Sequence, residues 1–271
     1  MDSTNLTSVH PLAHPFTFET TKEPEWNVLL VHGFTASPTE VEPLGKYLFQ
    51  KSQREGRSGG VHSLLLPGHG VAGEEGYKAM DHVTYRDWIA AYSGKVTELT
   101  QDRIPLILGG LSMGATLTVQ YLATHRSELK DQQIIGAILL SPALALQSKL
   151  LNLIGLVKHF VRYQDKGQDT AQFFLQHNLF SYVKRPTSAV HELKKLIDQT
   201  KPLVGKVNVP VSAHIGKKDE LISVGKVLEL LRSIPQVSTN LYPDLDHIFT
   251  VDPNAELVFK SIYDWLGDIA F

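Results

Sequence analysis

Short apolar segments that end in Gly, Pro or Ser recur along this chain, and amphipathic stretches separate them. Strands of a parallel sheet that is covered on both faces are apolar almost throughout, and helical crossovers connect them. The alternation therefore predicts an α/β fold with a mostly parallel sheet of about 7 strands flanked by helices. The predicted strands are residues 16–19, 27–31, 61–66, 105–108, 134–140, 209–215 and 238–242, the first of them an antiparallel edge strand.

Helices are predicted in four of the connections. Ser37 is a residue type favoured as an N-cap, and Pro38 after it suits the first helical position, where a missing N–H costs little. Loops that lead from strand to helix gather at the carboxyl end of the sheet, where open α/β folds hold their chemistry. The predicted helices are residues 38–50, 85–100, 114–124 and 255–266.

One long connection, residues 143–206, contains no evident strand. Long connections in compact domains are usually functional, so this one predicts a helical cap inserted before the penultimate strand of a core formed by residues 1–142 and 207–271. The apolar side chains of the cap either line a pocket or pack the cap against the core; examples are Leu153, Phe160, Phe173 and Phe174. The predicted cap helices are residues 150–163, 170–179 and 187–200.

Composition excludes several classes of function. Lys and Arg total 26 against 28 Asp and Glu, a net charge of −2, so the basic footprint of a general nucleic-acid binder is missing. The chain has no cysteine, which excludes disulfides, thiolate zinc sites and cysteine nucleophiles. Residues 134–146, the longest apolar run, are too few to span a membrane, and the first residues do not resemble a secretory signal. We expect no transmembrane segment and a cytoplasmic location.

The sequence Gly110-Leu111-Ser112-Met113-Gly114 has the pattern G-x-S-x-G, directly after a predicted strand and at the start of a predicted helix. In that setting the serine lies on a tight strand-to-helix turn, and the small flanking residues allow the backbone to bend enough to expose its hydroxyl. Ser112 is therefore the candidate nucleophile. The alternative is a serine that only caps a helix in a glycine-rich turn.

A serine nucleophile needs a base and an acid that orients the base, and in this architecture they follow in the order Ser, acid, His. Asp219 comes directly after one predicted strand, and His247 comes just after the last. Glu220, Asp244 and Asp246 are competing acids. Asp244 and Asp246 lie close to His247 in sequence, and residues that close on one loop seldom present their side chains to each other. Histidines at the rim of the site precede Ser112, which is the wrong order; these are His32 and His69.

An oxyanion hole requires two backbone N–H groups near the nucleophile. We expect one from Met113, at the helix N-terminus, and one from Phe34, in the loop after the first parallel strand, where Gly33 allows close approach. The alternative is a turn that only lets the strand exit. Spacings typical of a metal site, a phosphate loop or a dinucleotide site are missing, so we expect no metal and no cofactor.

Several motifs together resemble the α/β-hydrolase superfamily, and more narrowly the small bacterial carboxylesterases related to monoacylglycerol lipases. They are PFTFE, LLVHGFTASP, LLLPGHG, GGLSMGA, KKDELI and DHIFTVD, spread over residues 15–265. The resemblance implies an α/β-hydrolase fold with Ser112 as nucleophile, Asp219 as acid and His247 as base, and with Phe34 and Met113 as oxyanion donors. It also implies a small-molecule carboxylic ester substrate with a lipophilic, small to medium acyl chain, a class that includes monoacylglycerols, and no cofactor.

Asp246 departs from the resemblance, because a Ser-Gly or similar pair is more usual before the histidine. Its carboxylate could raise the pKa of His247 or draw the ring away from Ser112.

The leading hypothesis is a serine carboxylesterase. A thioesterase, an amidase or a carbon–carbon bond hydrolase could use the same triad, and a ligand-binding module without turnover is a third reading. Coenzyme A thioesters would favour a basic entrance; the basic cap residues are Lys149, Lys158, Arg162, Lys166, Lys184 and Arg185. Because they are scattered in sequence, we interpret them as a solvated helix surface.

Overall fold

The computed structural model describes residues 9–129, 133–148 and 153–270. Seven strands within these ranges form one sheet of order β1-β3-β2-β4-β5-β8-β9, and two more pair with each other outside it. Only β1 is antiparallel to its neighbour in the sheet, as predicted for the edge strand. The strands are β1 Thr17–Phe18, β2 Trp26–Val31, β3 Gly59–Leu64, β4 Leu106–Leu111, β5 Ile134–Leu140, β6 Tyr163–Asp165, β7 Lys184–Pro186, β8 Val211–Gly216 and β9 Val237–Tyr242.

The α-helices found in the same ranges cover both faces of the sheet. Two of them, α2 and α8, were not predicted from sequence. They are α1 Glu42–Arg54, α2 Gly73–Asp81, α3 Tyr85–Leu99, α4 Met113–Thr124, α5 Ile154–Val157, α6 Gln168–Gln176, α7 Thr187–Thr200, α8 Val224–Leu231 and α9 Ala255–Ala270. No helix of the described ranges has the length and hydropathy needed to cross a bilayer.

Successive residues of β2 pack into different halves of the core. Leu29 and Val31 belong to the cluster that includes residues of α3, α4 and α7, whereas Val28 and Leu30 belong to the cluster with α1 and α9. Every residue of β2 is buried. The continuous apolar pattern thus has the predicted cause, a parallel sheet covered on both faces.

The predicted end of β4 at residue 108 is wrong, because the strand continues through two glycines to Leu111. Gly110 pairs with Val31 of β2 and Leu139 of β5, so it is part of the ladder. A Cβ atom at Gly110 would lie 2.6 Å from the carbonyl oxygen of Val31, so only glycine fits there. The glycines that looked like a strand terminator permit close packing inside the sheet.

The predicted helix 38–50 begins differently from expectation. A 3-10 turn, Pro38–Glu40, comes first, and α1 starts at Glu42. The Ser37 hydroxyl makes no capping bond; it donates to the Leu12 carbonyl at 3.2 Å and contacts the Thr39 hydroxyl at 2.7 Å. The predicted N-cap position of Ser37, followed by Pro38, is thus confirmed, but it belongs to the 3-10 turn rather than to α1, and the Ser37 hydroxyl does not cap it.

The residues between β5 and β8, which we call the inserted segment, lie where the cap was predicted. Helix α7 has the predicted bounds, and α6 covers most of 170–179. The predicted helix 150–163 is wrong in its described part, since α5 is a single turn and residues 163–165 form β6, antiparallel to β7. These three-residue strands are too short to show an alternating pattern. The division into core 1–142 and 207–271 with cap 143–206 stays a prediction.

Candidate active site

Ser112 occupies the turn between β4 and α4, with φ 56° and ψ −110°, in the left-handed region that non-glycine residues rarely adopt. Its N–H donates to the Leu140 carbonyl at 2.9 Å, and its own carbonyl accepts from Thr116 at 3.1 Å. A Cβ atom at Gly114 would lie 2.0 Å from the Val31 carbonyl oxygen. Close packing of α4 against the end of β2 thus requires glycine and holds the strained turn.

The Ser112 hydroxyl makes no capping hydrogen bond to α4. The helix-cap alternative therefore lacks the contact that would define it. Instead, Ser112 lines a cavity of about 730 Å³ on the carboxyl side of the sheet.

Asp219 and His247 are brought together from the loops after β8 and β9. His247 Nδ1 donates to Asp219 Oδ2 at 2.6 Å, and both residues are buried. The second oxygen of Asp219 accepts the N–H groups of Leu221 at 2.9 Å and Ile222 at 3.1 Å, which fixes the carboxylate. Because Nδ1 carries the proton toward Asp219, Nε2 of the neutral ring is free to accept one.

The pKa of Asp219 reflects opposing effects. Burial alone would raise it, but the hydrogen bond and charge of His247, together with the amides of Ile222 and Leu221, lower the pKa below its ordinary value. Asp219 is therefore a carboxylate at neutral pH, which is the form that orients and stabilises a protonated imidazole.

The competing acids have other partners or positions. Asp244 pairs with Lys218 at 3.0 Å, and Glu220 is exposed on the cavity rim. Asp246 Oδ1 accepts the backbone N–H of His247 at 2.6 Å. The unusual Asp246 therefore fixes the backbone of the loop and makes no hydrogen bond to the imidazole ring.

The proposed nucleophile and the proposed base face the same cavity. Ser112 and His247 both line it, together with Gly33 and Phe34 of the loop after β2. Much of the remaining wall is apolar and comes from the sheet edge and the inserted segment: Leu111, Ala143, Leu146, Leu153, Ile154, Val157, Phe174, Val190, Leu193 and Ile248.

The four phenylalanines and leucines singled out in the cap have different positions. Leu153 and Phe174 line the cavity. Phe173 packs against Phe174 and His177 instead, and Phe160 is 89% exposed.

The predicted oxyanion donors lie on opposite sides of Ser112 in the chain. Met113 begins α4, so its N–H is one of the groups that an α-helix leaves without an intrahelical partner. Phe34 lines the cavity, and a Cβ atom at the preceding Gly33 would lie 3.4 Å from Ser112 Cβ. The loop after β2 thus lies against Ser112, and the assignment of Phe34 and Met113 as oxyanion donors stays a proposal.

Two buried histidines hold the Phe34 loop. His69 Nε2 accepts the N–H of Thr35 at 3.0 Å, while its Nδ1 donates to the Pro67 carbonyl at 3.0 Å. His32 Nδ1 donates to the Gly33 carbonyl at 2.9 Å, and its Nε2 accepts the N–H of Leu66 at 3.2 Å. Each ring therefore needs one protonated and one free nitrogen. Burial lowers the pKa of His32 to about 4 and that of His69 well below its ordinary value, which keeps both neutral.

Sequence reasoning did not consider Glu40 of the cavity wall, and it placed Lys166 and Arg185 on a solvated helix surface. Glu40 is buried, and its Oε2 accepts the N–H of Gly33 at 2.9 Å. Burial raises the pKa of Glu40, while the Gly33 N–H and the charges of Lys166 and His247 lower it. Lys166 and Arg185 line the same cavity, so their interpretation as part of a solvated surface is wrong for these two. No local motif marks any of the three, since only the fold brings them to Ser112.

Three other basic residues named from the sequence lie outside the cavity wall. Arg162 and Lys184 are exposed, Lys158 contacts His191, and Lys149 lies outside the described residues.

The chain is similar to known proteins along most of its length. Residues 22–254 match the family described as serine aminopeptidase, S33. A thermostable monoacylglycerol lipase of Bacillus sp. (strain H-257) is 26% identical over 248 residues, covering 89% of this chain and 90% of the relative. A carboxylesterase of Bacillus subtilis (strain 168) is 23% identical over 256 residues, covering 93% and 95%.

Among solved structures, one described for the metagenome-derived lipolytic enzymes LipS and LipT superimposes with a TM-score of 0.79 at 22% identity. It covers 96% of this chain and 100% of that one. The family match extends from before β2 to the loop that follows His247, and therefore includes every element of the site. The chain belongs to the serine aminopeptidase S33 family of α/β-hydrolases.

Proposed function

We propose that this protein is a serine hydrolase that cleaves carboxylic esters through an acyl-enzyme on Ser112. The observation that carries the proposal is the Asp219–His247 hydrogen bond of 2.6 Å, beside a cavity that both His247 and Ser112 line. The names of the two Bacillus relatives, a monoacylglycerol lipase and a carboxylesterase, support an ester as the substrate.

In the first half-reaction, the Ser112 Oγ attacks the ester carbonyl while His247 Nε2 takes the hydroxyl proton. Asp219 stabilises the imidazolium that forms. The amides of Phe34 and Met113 donate to the negative oxygen of the tetrahedral intermediate, and one such donor typically contributes about 2.7–4 kcal/mol. His247 then returns the proton to the departing alcohol, which leaves the acyl group on Ser112.

In the second half-reaction, water gives a proton to His247 Nε2 and attacks the acyl carbonyl. Collapse of the second intermediate releases the carboxylic acid and restores the Ser112 hydroxyl. Every step uses side chains and amides of this chain, so the mechanism requires no cofactor.

The cavity suits a small to medium acyl chain. Its volume, about 730 Å³, lies in the usual range for small-molecule sites, and its wall is largely apolar. Thioester, amide and carbon–carbon bond substrates would use the same triad and are alternatives that the choice of substrate separates. A ligand-binding role without turnover would leave the strained Ser112 backbone unexplained.

The test is hydrolysis of 4-nitrophenyl esters from acetate to palmitate by the wild-type protein and by Ser112→Ala. We expect the wild type to hydrolyse the shorter esters and the variant to lose activity by about 10⁴-fold or more. Mass spectrometry after acid quench of a slow ester should show the acyl group on Ser112. An active Ser112→Ala variant would contradict the mechanism, and a wild type that cleaves only thioesters or amides would contradict the substrate class.

A further inference from the structure

Two cations of the inserted segment lie in the wall of the Ser112 cavity. Lys166 directly follows β6, and Arg185 lies in β7, opposite Gln164 in the ladder. Both are half-buried. The strand pair β6–β7 therefore presents an ammonium and a guanidinium to the space in which the substrate of the proposed function would lie.

The hydrogen-bond partners that the protein supplies for these cations are neutral. Lys166 Nζ donates to the Ser181 hydroxyl at 2.8 Å and lies 5.1 Å from the centroid of the Phe174 ring. Arg185 Nε donates to Gln164 Oε1 at 3.2 Å. Across residues 9–129, 133–148 and 153–270, no carboxylate oxygen lies within 4.0 Å of either cation. Most of the N–H groups of the two side chains therefore have no protein acceptor.

The neighbouring helix α7 shows the opposite arrangement. Its lysines Lys194 and Lys195 each form an ion pair with a carboxylate of the same helix, Asp198 and Glu192 respectively. Lys195 is exposed and Lys194 is half-buried, and both are paired. The fold thus pairs cations where pairing contributes little and leaves them unpaired in the cavity, where an unpaired cation is costly.

Three acidic groups face the same cavity. Glu40 is committed to the Gly33 N–H, and Asp165 and Glu220 are exposed to solvent; one oxygen of Asp165 also accepts the N–H of Gly167 at 2.8 Å. None approaches the cations closely enough to replace a ligand. The pKa of Lys166 is lowered to about 7, chiefly by burial; the charge of Glu40 opposes this shift, and that of Arg185 contributes to it. An anion bound to the two cations would offset the free-energy cost of burying them.

We propose that Lys166 and Arg185 form a subsite for a carboxylate, so that the preferred substrates of this hydrolase carry a free carboxylate in addition to the ester. This inference rests on the proposed function. A guanidinium binds a carboxylate through parallel N–H donors, and the ammonium adds a point charge. The free carboxylate belongs either to the acyl chain or to the alcohol, and two series of esters distinguish these sources.

The first experiment measures kcat/KM at about pH 6 for matched pairs of esters. For the acyl side the pair is mono-4-nitrophenyl adipate and 4-nitrophenyl hexanoate; for the alcohol side it is 3-carboxyphenyl butyrate and phenyl butyrate. We expect the wild type to prefer the anionic ester in one series by about tenfold or more, the effect of a charge-assisted hydrogen bond. Lys166→Met and Arg185→Met should bring the ratio of kcat/KM for the anionic ester to that for the neutral ester close to one, whatever their effect on the neutral ester itself.

Lys184→Met is the matched control, because Lys184 is exposed, lies beside Arg185 on β7 and is not part of the cavity wall. It should leave the preference unchanged. Equal activity of the wild type on both members of each pair would overturn the proposal. A loss that is the same for anionic and neutral esters in Lys166→Met and Arg185→Met would also overturn it, since this would indicate a structural role.

A binding experiment separates this proposal from the proposed function. Calorimetry on Ser112→Ala compares monomethyl adipate, which is anionic, with dimethyl adipate, which is neutral. We expect about tenfold tighter binding of the anion, lost when Lys166→Met is added. If the wild type hydrolyses no ester but this difference holds, the proposed function fails and the subsite stands. Equal binding of both esters, or binding of neither, overturns the subsite even if the esterase activity is present.

Discussion

The catalytic end of the cavity and the inserted segment that covers it are built in different ways. Ser112, Asp219 and His247 lie in short turns directly after strands of the sheet, and their positions depend on backbone contacts such as the fit of Gly114 against Val31. Lys166 and Arg185 lie at the pair of three-residue strands β6 and β7, and Lys166 contacts Ser181 through its side chain. Backbone packing tolerates little change, whereas side-chain contacts can be exchanged one at a time. We therefore expect the sheet to fix the proposed catalytic residues and the inserted segment to set the proposed selectivity.

Contacts between the two regions are specific. Tyr182 of the inserted segment donates its backbone N–H to the Thr35 carbonyl at 2.9 Å and its hydroxyl to the Gly68 carbonyl at 3.0 Å. Ser181 also donates to the Thr35 carbonyl, at 3.0 Å, and accepts from Lys166. Hydrogen bonds therefore connect Lys166, beside β6, to the loop that contains Phe34, so the inserted segment supports the site as well as covering it.

The largest effect on activity besides loss of Ser112 should come from Asp219→Asn. The amide cannot stabilise the imidazolium and favours the wrong tautomer of His247, so we expect kcat to fall by about 10³–10⁴-fold with the fold intact. Steady-state kinetics and circular dichroism check both parts. Asp244→Asn, which alters an exposed partner of Lys218 on the loop of His247, should keep wild-type kcat. A mild effect of Asp219→Asn would identify a different orienting acid.

Gly114→Ala tests whether backbone packing fixes the catalytic turn. Its Cβ atom would lie 2.0 Å from the Val31 carbonyl oxygen, so α4 must move away from the sheet. We expect the free energy of unfolding to fall by about 3 kcal/mol or more. At Gly225 of α8 nothing lies within 4 Å of the added Cβ atom, and Gly225→Ala should be neutral or stabilise by up to about 1 kcal/mol. Urea denaturation measures both; equal effects would remove the argument.

Two substitutions compare a buried position of the inserted segment with an exposed one. Leu196 of α7 is fully buried in the cluster shared with α4 and the sheet, and Leu196→Ala should cost about 2–5 kcal/mol of unfolding free energy. Phe160 is 89% exposed, and Phe160→Ala should change that free energy by less than about 0.5 kcal/mol. Comparable losses in urea denaturation would show that residues near Phe160 pack as firmly as α7.

The smallest effect expected is a pH dependence of the preference for anionic esters. The pKa of Lys166 is about 7, lowered by burial, so the ammonium is present below that pH and is lost above it. The ratio of kcat/KM for an anionic ester to that of its neutral match should therefore be highest below about pH 6 and fall toward pH 8, leaving the contribution of Arg185. His247 takes part in the hydrolysis of both esters, so its contribution cancels in the ratio. A ratio that rises with pH would contradict this assignment.

Most of the fold and the main candidate residues of the site could be predicted from local sequence. The strands were visible because burial on both faces requires apolar residues throughout, and Ser112 was visible because its turn requires glycines at fixed offsets. The end of β4 and the helix 150–163 were mispredicted because tertiary partners outweigh local preference. For β4 these partners are the neighbouring strands that enclose Gly109 and Gly110. Ser37 takes the predicted N-cap position, but its hydroxyl donates to the Leu12 carbonyl instead of capping the turn.

The sequence by itself determined an α/β sheet, a strained serine after its central strand, and an Asp and a His in the order that this architecture uses. Each of these depends on short-range pattern or on chain order. Only the tertiary structure decided that Asp219 and His247 are hydrogen-bonded, that Glu40 supports Gly33, and that Lys166 and Arg185 enter the cavity while Lys184 does not. Those facts depend on contacts between residues far apart in the chain, and no local pattern encodes which of several similar side chains the fold encloses.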